Sequence, residues 1–476
     1  MKTAKLLLFL FLISNNSFAQ CYTKIVSYSR NYIALQTDGT LWAKGTAFNY
    51  GLLGFGNSDY IAEFTQIGTD SNWTDNISQN GVNVFAIKAD GTLWVWGSNF
   101  PSGSAGLGTY DELGYFVPTQ IGSDTNWSKV SSGSGFTIAI KTDGTLWAWG
   151  QNSGGRLGTG NLDNTYKTNV PIQVGTETNW ANVFAENSTS AYAIKTDGTL
   201  WSWGNSGNYI GYANANINNN YRSPHQVGTD TWLTLAVSSF GPMTDGIKTD
   251  GSLWGWGLSN FQTYYFGNGI DNFSSQTPVR IGVDSNWKEI CIGAGTTQAL
   301  KSNGTRWGWG RNTNGQELGI GTGVIGGAIT MVTQLTADTD WKRLNIDIWE
   351  AGYGDGIKDN NALYHWGNTH LNIVYPAPTL FSTTTCTLLG LDDFRQNSII
   401  VYPNPISDFT NIHVNENLGS QIEVSIINQL GQELLSKKIE IVKQEFTLNL
   451  SNYASGVYYL TLKNFGQTFK TKLIKK

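Results

Sequence analysis

TDGTLWAWG, Thr142 to Gly150, is the stretch on which the reading of this chain turns. Asp-Gly supplies the positive φ values of a type I′ hairpin turn, whose twist matches that of the strands on either side. The second copy shows the consequence: Val84-Phe85-Ala86-Ile87-Lys88 is joined through Asp90-Gly91 to Leu93-Trp94-Val95-Trp96. Alternation sends Trp94 and Trp96 to one face of the strand and Leu93 and Val95 to the other. The turn glycine returns at Gly39, Gly91, Gly144, Gly198, Gly251 and Gly304, in steps of 52, 53, 54, 53 and 53 residues. An eroded seventh copy runs Asn360-Asn361-Ala362-Leu363-Tyr364-His365-Trp366-Gly367. A second marker, mostly Asn-Trp, precedes the phrases at Trp73, Trp127, Trp180, Trp232, Trp287 and Trp341, with Tyr22 in that slot before the first. All of the 19 Trp except Trp349 therefore fill repeat positions.

A third strand holds the Asn-Trp marker. A fourth holds a Pro-x-x-Ile/Val-Gly stretch, at Pro118 to Gly122, Pro171 to Gly175, Pro224 to Gly228 and Pro278 to Gly282. Four short antiparallel strands in about 50 residues, seven times over, predict an all-β chain built as a seven-bladed β-propeller. The third unit shows the repeat phrase best: Gly135, Ala139-Ile140-Lys141, Asp143-Gly144, Leu146-Trp147-x-Trp149-Gly150 and Gly155-Arg156-Leu157-Gly158-Thr159-Gly160. Leu53-Gly54-Phe55-Gly56 and Leu318-Gly319-Ile320-Gly321 echo its last element. This phrase resembles the regulator of chromosome condensation repeat family over about residues 21–385. The resemblance implies a seven-bladed ring. Members of that family include an exchange factor for a small GTPase and secreted binders of other proteins, so the fold leaves the function open. Export and low charge point away from the exchange factor, and no counterpart of its acidic partner-contacting surface is found.

Charged residues make up 14% of the chain, against about 25% in an average soluble domain, and 30 Lys+Arg face 35 Asp+Glu for a net charge of -5. A basic footprint for nucleic acid is excluded. With 40% hydrophobic residues the chain can bury a core. Lys2 and Lys5, the apolar run Leu6 to Ile13 and the small-x-small step Ser17-Phe18-Ala19 read as a signal peptide over residues 1–19. That run is too short to span a bilayer, and no other stretch approaches the length of a membrane helix. Cys21 raises a lipoprotein alternative, but Gln20 stands where lipidation wants a small residue.

The propeller is expected over 20–386, a linker over 387–398, and a small C-terminal β-sandwich over 399–476. Val401-Tyr402-Pro403-Asn404-Pro405, Ile426 to Gly431, Gly456-Val457-Tyr458-Tyr459-Leu460 and Lys470 to Ile474 carry its alternation. This segment resembles the type A sorting domain of the type IX (Por) secretion system of Gram-negative Bacteroidota. The resemblance implies passage through the periplasm and across the outer membrane, contact with the type IX machinery, and a secreted or cell-surface destination. An ordinary immunoglobulin-like adhesion module is the alternative.

No HExxH, GxSxG, P-loop or Cys-x-x-Cys occurs, so no catalytic, cofactor or metal residue is assigned. The His residues are His225, His365, His370 and His413. His365 fills a slot held elsewhere by Ala43, Val95, Ala148, Ser202, Gly255 and Gly308, which favours packing or hydrogen bonding over a metal pair with His370. Asp38, Asp90, Asp143, Asp197 and Asp250 read as turn residues, not as an acid-base ring. Asn161 to Asn164 and Gly269 to Asn272 read as Asx turns before they read as calcium loops. Lys44, where later copies have Trp, reads as a packed stem with its ammonium in water. The expectation is a non-enzymatic binding module for an extracellular protein or glycan. The alternatives are an enzyme, carbohydrate-active or otherwise hydrolytic, with a scattered site, and a passive surface spacer.

Aligned by their hairpins, Cys21 and Cys386 share one slot at opposite ends of the ring, which predicts a disulfide between them in an oxidising exterior and leaves Cys291 as a thiol. Chain direction puts the Asp-Gly hairpins on one rim and the long connections after each Trp-Gly on the other. Those connections include Phe48-Asn49-Tyr50, the stretch around Tyr209 and Tyr212, and the stretch around Tyr264 and Tyr265. Tyr209, Tyr212, Tyr264 and Tyr265 are the candidate ligand contacts, because aromatic rings add contact area with little rotamer entropy to lose.

Overall fold

The computed structural model describes residues 21–46, 51–57, 59–100, 103–110, 114–161, 163–185, 190–205, 209–213, 221–238, 241–258, 265–270, 273–293, 295–312, 317–321, 327–346, 353–368, 374–381, 399–402, 404–414, 421–428, 433–440, 445–464 and 467–476. The signal segment 1–19, the linker 387–398, Cys386, Tyr264 and Asn49-Tyr50 lie outside these residues. Two compact units divide the chain, Met1–Thr385 and Cys386–Lys476. Among the described residues a single short 3-10 turn, Ser153–Gly155, accompanies the strands.

The third module shows the unit of construction. Trp127–Gly133, Phe136–Lys141, Leu146–Gln151 and Lys167–Gln173 pair antiparallel in chain order, the hairpin closing where Asp143-Gly144 stands. Seven such four-strand modules follow one another. The fourth and fifth share one continuous strand, Tyr221–Val237, which ends the one and begins the other. Neighbouring modules meet along their first strands, which line the axis of a propeller, and the fourth strands are the edge strands on its outer wall. Pro118, Pro171, Pro224, Pro278, Pro376 and Pro378 lie in those edge strands. A missing N–H blunts an edge that would otherwise recruit another strand.

Both faces of a module are covered, so the second strands lose the alternation of a half-exposed sheet: Asn83–Lys88 and Phe136–Lys141 are buried along their whole length. Each third strand divides its faces between two cores. Trp96 packs with Trp73 against Ile33, Leu35 and Leu41 of the first module, while Leu93 and Val95 pack with Trp127 and Trp149 of the third.

One rim is held by a repeating backbone pattern. The marker N–H of each module donates to the turn carbonyl of the module before it: Trp73 to Gly39 at 3.0 Å, Trp127 to Gly91 at 2.9 Å, Trp180 to Gly144 at 3.1 Å, Trp232 to Gly198 at 2.8 Å, Trp287 to Gly251 at 3.0 Å and Trp341 to Gly304 at 3.2 Å. Tyr22 donates to Asn361 at 2.9 Å, so the first module takes the last as its predecessor and the ring closes. Thr37 N donates to Cys21 O just as Thr142 N donates to Asn126 O, which places Cys21 in the slot its alignment assigns.

In the C-terminal unit the strands Ile399–Tyr402, Phe409–Val414 and Glu445–Asn449 form one sheet, and Gln421–Asn428, Glu433–Glu440, Gly456–Asn464 and Gln467–Lys475 form another. Ile412, Phe446 and Leu448 of the first share a core with Val424, Ile426, Leu460 and Leu462 of the second.

The Leu-Gly-x-Gly segments return from the long connections into the seam between modules. Gly108 N donates to Asn169 O and Gly160 N to Arg222 O, each on the outer strand of the next module. A Cβ on Gly158, at φ +72, would stand 2.8 Å from the Trp203 indole nitrogen, whereas one on Gly160, at φ +77, meets nothing within 4 Å. Both substitutions to Ala carry the left-handed strain of about 1–2 kcal/mol, and only the first adds overpacking of about 1–3 kcal/mol. Gly158→Ala is therefore expected to lower Tm several degrees further than Gly160→Ala in thermal unfolding of the two variants.

Candidate binding surface

The seams between modules concentrate the chemistry of this chain. The second Trp is buried in a seam wherever a phrase has one, and in four modules its indole N–H donates to a backbone carbonyl of the preceding module: Trp96 to Leu52 at 2.8 Å, Trp149 to Ser104 at 3.1 Å, Trp203 to Arg156 at 2.9 Å and Trp366 to Glu317 at 3.3 Å. The first Trp is half-buried and faces outward. Its N–H donates to the turn hydroxyl, as Trp147 does to Thr145 at 2.8 Å, and that hydroxyl donates to Asp143 Oδ1 at 2.7 Å. Asp90, Asp143, Asp197 and Asp250 are held below the usual carboxylate range by these hydroxyl and amide donors. They are turn residues, as their place before glycine predicts. Asp163 makes the same turn with Thr165, and Asn161 Oδ1 accepts from Asp163 N. Asp271-Asn272 lies outside the described residues.

Sequence reading missed a cluster that recurs in modules two to six. Lys141 ends the second strand with its ammonium 3.9 Å from the Trp147 ring centre, 4.8 Å from that of Trp127 and 2.7 Å from Asp124. Lys88, Lys195, Lys248 and Lys301 repeat the arrangement with Asp70, Glu177, Asp230 and Asp284. In the seventh module Lys358 contacts Asp338 and Asp340, and Tyr364 replaces the first Trp. The cue was present in the Lys that precedes Thr-Asp-Gly, but its acidic partner lies 17 to 20 residues away and meets it only once the register is set.

Beside two of these clusters the outer wall is hollow. A recess of about 290 Å³ between modules two and three is lined by Leu107, Asp124, Trp127, Trp147, Val170 and Pro171. A second, of about 410 Å³ between modules four and five, has the corresponding Tyr212, Asp230, Trp232, Thr277 and Pro278. Recurrence of one lining at two seams marks it as a product of the repeat.

Tyr212 thus lies in a seam and not on an open rim. Its ring packs 4.9 Å from that of Tyr221, and its hydroxyl donates to Ser202 O at 3.1 Å and meets the His225 carbonyl. Burial pushes its phenol pKa up. Tyr209 is half-buried, with its carbonyl accepting from the Tyr192 hydroxyl, and Tyr265 is partly buried against the core between modules five and six.

The closing seam is built differently. Lys44 stands in the slot of the second Trp; its ammonium lies 4.7 Å over the Phe381 ring and 4.0 Å from Glu63. Phe381 also stacks near Tyr32, Phe64 and His365. His365 is buried and hydrogen-bonded, Nδ1 lying 2.8 Å from Asp355 Oδ1, while Asn345 bridges Asp355 to Ser27 of the first module. His370 lies outside the described residues. Along the axis, Arg343 lies 3.9 Å from Asp75 and 3.6 Å from Glu289, so charges of both signs share the channel lining.

Comparison with known proteins agrees with this architecture. The family described as Regulator of chromosome condensation (RCC1) repeat matches residues 127–156 and residues 143–188. The chain carries regulator of chromosome condensation repeats. The family described as Secretion system C-terminal sorting domain matches residues 400–476. RCC1 domain-containing protein RUG3, mitochondrial, of Arabidopsis thaliana is 29% identical over 45% of this chain and 50% of its own length, so the match spans half of that relative. Ultraviolet-B receptor UVR8 of Arabidopsis thaliana is 27% identical over 66% of this chain and 68% of its own. The crystal structure of Prp20p from Saccharomyces cerevisiae aligns at a TM-score of 0.60 with 17% identity, covering 76% of this chain and 88% of that one, which shows the propeller fold. The sorting domain marks the protein for secretion or the outer surface through the type IX route.

Where the repeat consensus breaks, buried polar groups appear. Asp245 occupies the slot of Phe85 and Ile138 opposite the third strand, with Thr297 Oγ1 donating to one oxygen at 3.3 Å and no partner for the other among the described residues. Burial pushes its pKa up from 3.8 to about 8. The folded state therefore holds a proton that the unfolded chain releases, and stability falls as pH rises from about 4 to about 8. Asp245→Asn is expected to flatten that part of the Tm-against-pH curve and to raise Tm at pH 9, measured by thermal unfolding from pH 4 to 9.

Proposed function

We propose that this protein is an exported, non-catalytic binding ring that holds an extracellular protein or glycan on the side carrying its long connections. One observation supports the reading above others: a repeat scaffold and a secretion sorting domain share one chain. The scaffold's hairpin rim spends its backbone groups on its own neighbours, whereas the connections differ from module to module and carry Tyr209, Tyr212, Tyr264 and Tyr265. Loops on a rigid scaffold are where contact residues collect. Replacing these four Tyr by Ala is expected to leave the ring folded and secreted, with Tm lowered because Tyr212 and Tyr265 pack in seams, and to lower capture of surface proteins and array glycans. Unchanged capture by the four-Tyr variant, with loss on hairpin-rim substitution at Ser123 and Thr125 instead, would reverse the assignment.

Removing residues 399–476 is expected to leave a folded ring inside the cell envelope, because the modules form their own core. Normal surface or medium levels of the truncated chain, measured by fractionation and immunoblot, would contradict it.

A Cys21–Cys386 disulfide belongs to the same reading. Cys21 is buried, and among the described residues Cys291 is the free thiol. Burial pushes the Cys291 pKa up, which keeps it an unreactive thiol. Non-reducing peptide mapping of the secreted protein is expected to return the Cys21–Cys386 pair, and its absence would end this assignment.

A further inference from the structure

The geometry points to the outer-wall hollows as binding sites for a neutral polysaccharide, each taking one or two sugar residues of a longer chain. This rests on the reading of the ring as an extracellular binding module and names the ligand class and the place.

Size is the first argument, because a volume of about 290 or 410 Å³ is at the lower end of small-ligand sites and too small for a protein element. Lining chemistry is the second. The first hollow presents the part-exposed Trp147 ring together with Val170 and Pro171, above the buried Trp127, an apolar surface against which the C–H face of a pyranose stacks. Its polar groups are mainly acceptors: Asp124 is half-exposed, and the Gln120 amide is already donated to Gly122 O at 3.2 Å. A ligand rich in hydroxyl donors satisfies this set. A peptide backbone needs more donors than the wall offers.

Charge selects further. The Lys141 and Lys248 ammoniums are nearly buried, each spent on two indole faces and one carboxylate, so what reaches the wall is the carboxylate. An acidic polymer is repelled there. Recurrence is the third argument. Two equivalent weak sites on one rigid ring gain avidity only for a ligand that itself repeats.

The test uses the full mature chain in affinity gel electrophoresis with soluble laminarin, xylan and polygalacturonate. Val170→Arg and Thr277→Arg place a long cation at the mouth of each hollow, where it fills the space and pairs with Asp124 or Asp230. Both positions are on outer-wall strands and at least partly exposed, and Tm and secretion report folding. Expected results are retardation of the wild type by laminarin or xylan and none by polygalacturonate, with each single variant weakening apparent affinity several-fold and the double variant at least ten-fold. Three outcomes overturn the proposal: no retardation by either neutral polymer, retardation by polygalacturonate alone, or full retardation of a folded double variant. If the neutral polymers fail while the wild type still captures a surface protein and the four-Tyr variant does not, the binding-module reading stands and its ligand is a protein. If nothing is captured in either assay, that reading falls too.

Discussion

The contact between one indole and one glycine backbone governs the rest of this structure. A module cannot bury its second Trp alone, because one face of the sheet that carries it has no cover until the preceding module's Leu-Gly-x-Gly segment folds back over it. Gly106, Gly158 and Gly319 lie so close to Trp149, Trp203 and Trp366 that a Cβ would stand within 2.9 Å of the ring. The carbonyl that receives the indole N–H comes from that same segment, so packing and hydrogen bonding depend on a single backbone path. Stability of such a chain is a sum of neighbour terms, and no module is a folding unit by itself. The closing seam is the exception: Lys44 stands in the Trp slot, and Phe381, Phe64 and Tyr32 pack together beside it.

The parts legible in the sequence are those set by local rules. The place of each hairpin follows from Asp-Gly, although the turn is not type I′, because only its glycine takes a positive φ, 77° at Gly144, and Gly144 N donates to Lys141 O. The faces of the third strand follow from the Trp-x-Trp spacing, visible like the turn within a dozen residues, and the repeat length follows from counting along the chain. The turn role of the Asp residues was legible for the same reason, since their partners stand two residues on. The lysine clusters were not, because Lys141 and Asp124 are joined only by the antiparallel register between first and second strands. Nor did the sequence show that the connections turn inward. Alternating directions place a loop at a rim, but only the closeness of Gly158 to Trp203 reveals that its end returns to the wall.

Departures from the repeat carry as much information as the repeat. At the slot opposite the third strand, the first three modules have Ile33, Phe85 and Ile138, all buried and apolar. Modules four to seven have Tyr192, Asp245, Gln298 and Asp355. Arg306 likewise stands where other copies have Leu, fully buried, its guanidinium donating to Gln298, Leu318 O and Gly319 O and lying 4.4 Å from the Trp366 ring centre. With no carboxylate in hydrogen-bond reach among the described residues, burial lowers its pKa to about 9. Comparing units with one another, slot by slot, would have exposed each of these residues before any coordinates existed.

That polar half of the ring bears on which seams stay open. A seam lined by Leu, Ile and Ala closes by area alone, whereas Asp245 and Arg306 must each find particular partners across it, Thr297 for the one and the carbonyls of Leu318 and Gly319 for the other. The partner of Asp245 comes from the next module and those of Arg306 from the wedge segment. The hollows lie just outside the wedge, against Gly106 and Leu107 at one seam and Gly211 and Tyr212 at the other. Their larger volume at the fourth seam accompanies the loss of the Leu-Gly carbonyl contact there: the Trp256 indole N–H has no partner among the described residues, while Trp149 at the second seam is bonded to Ser104. The repeat therefore builds the same recess at these two seams.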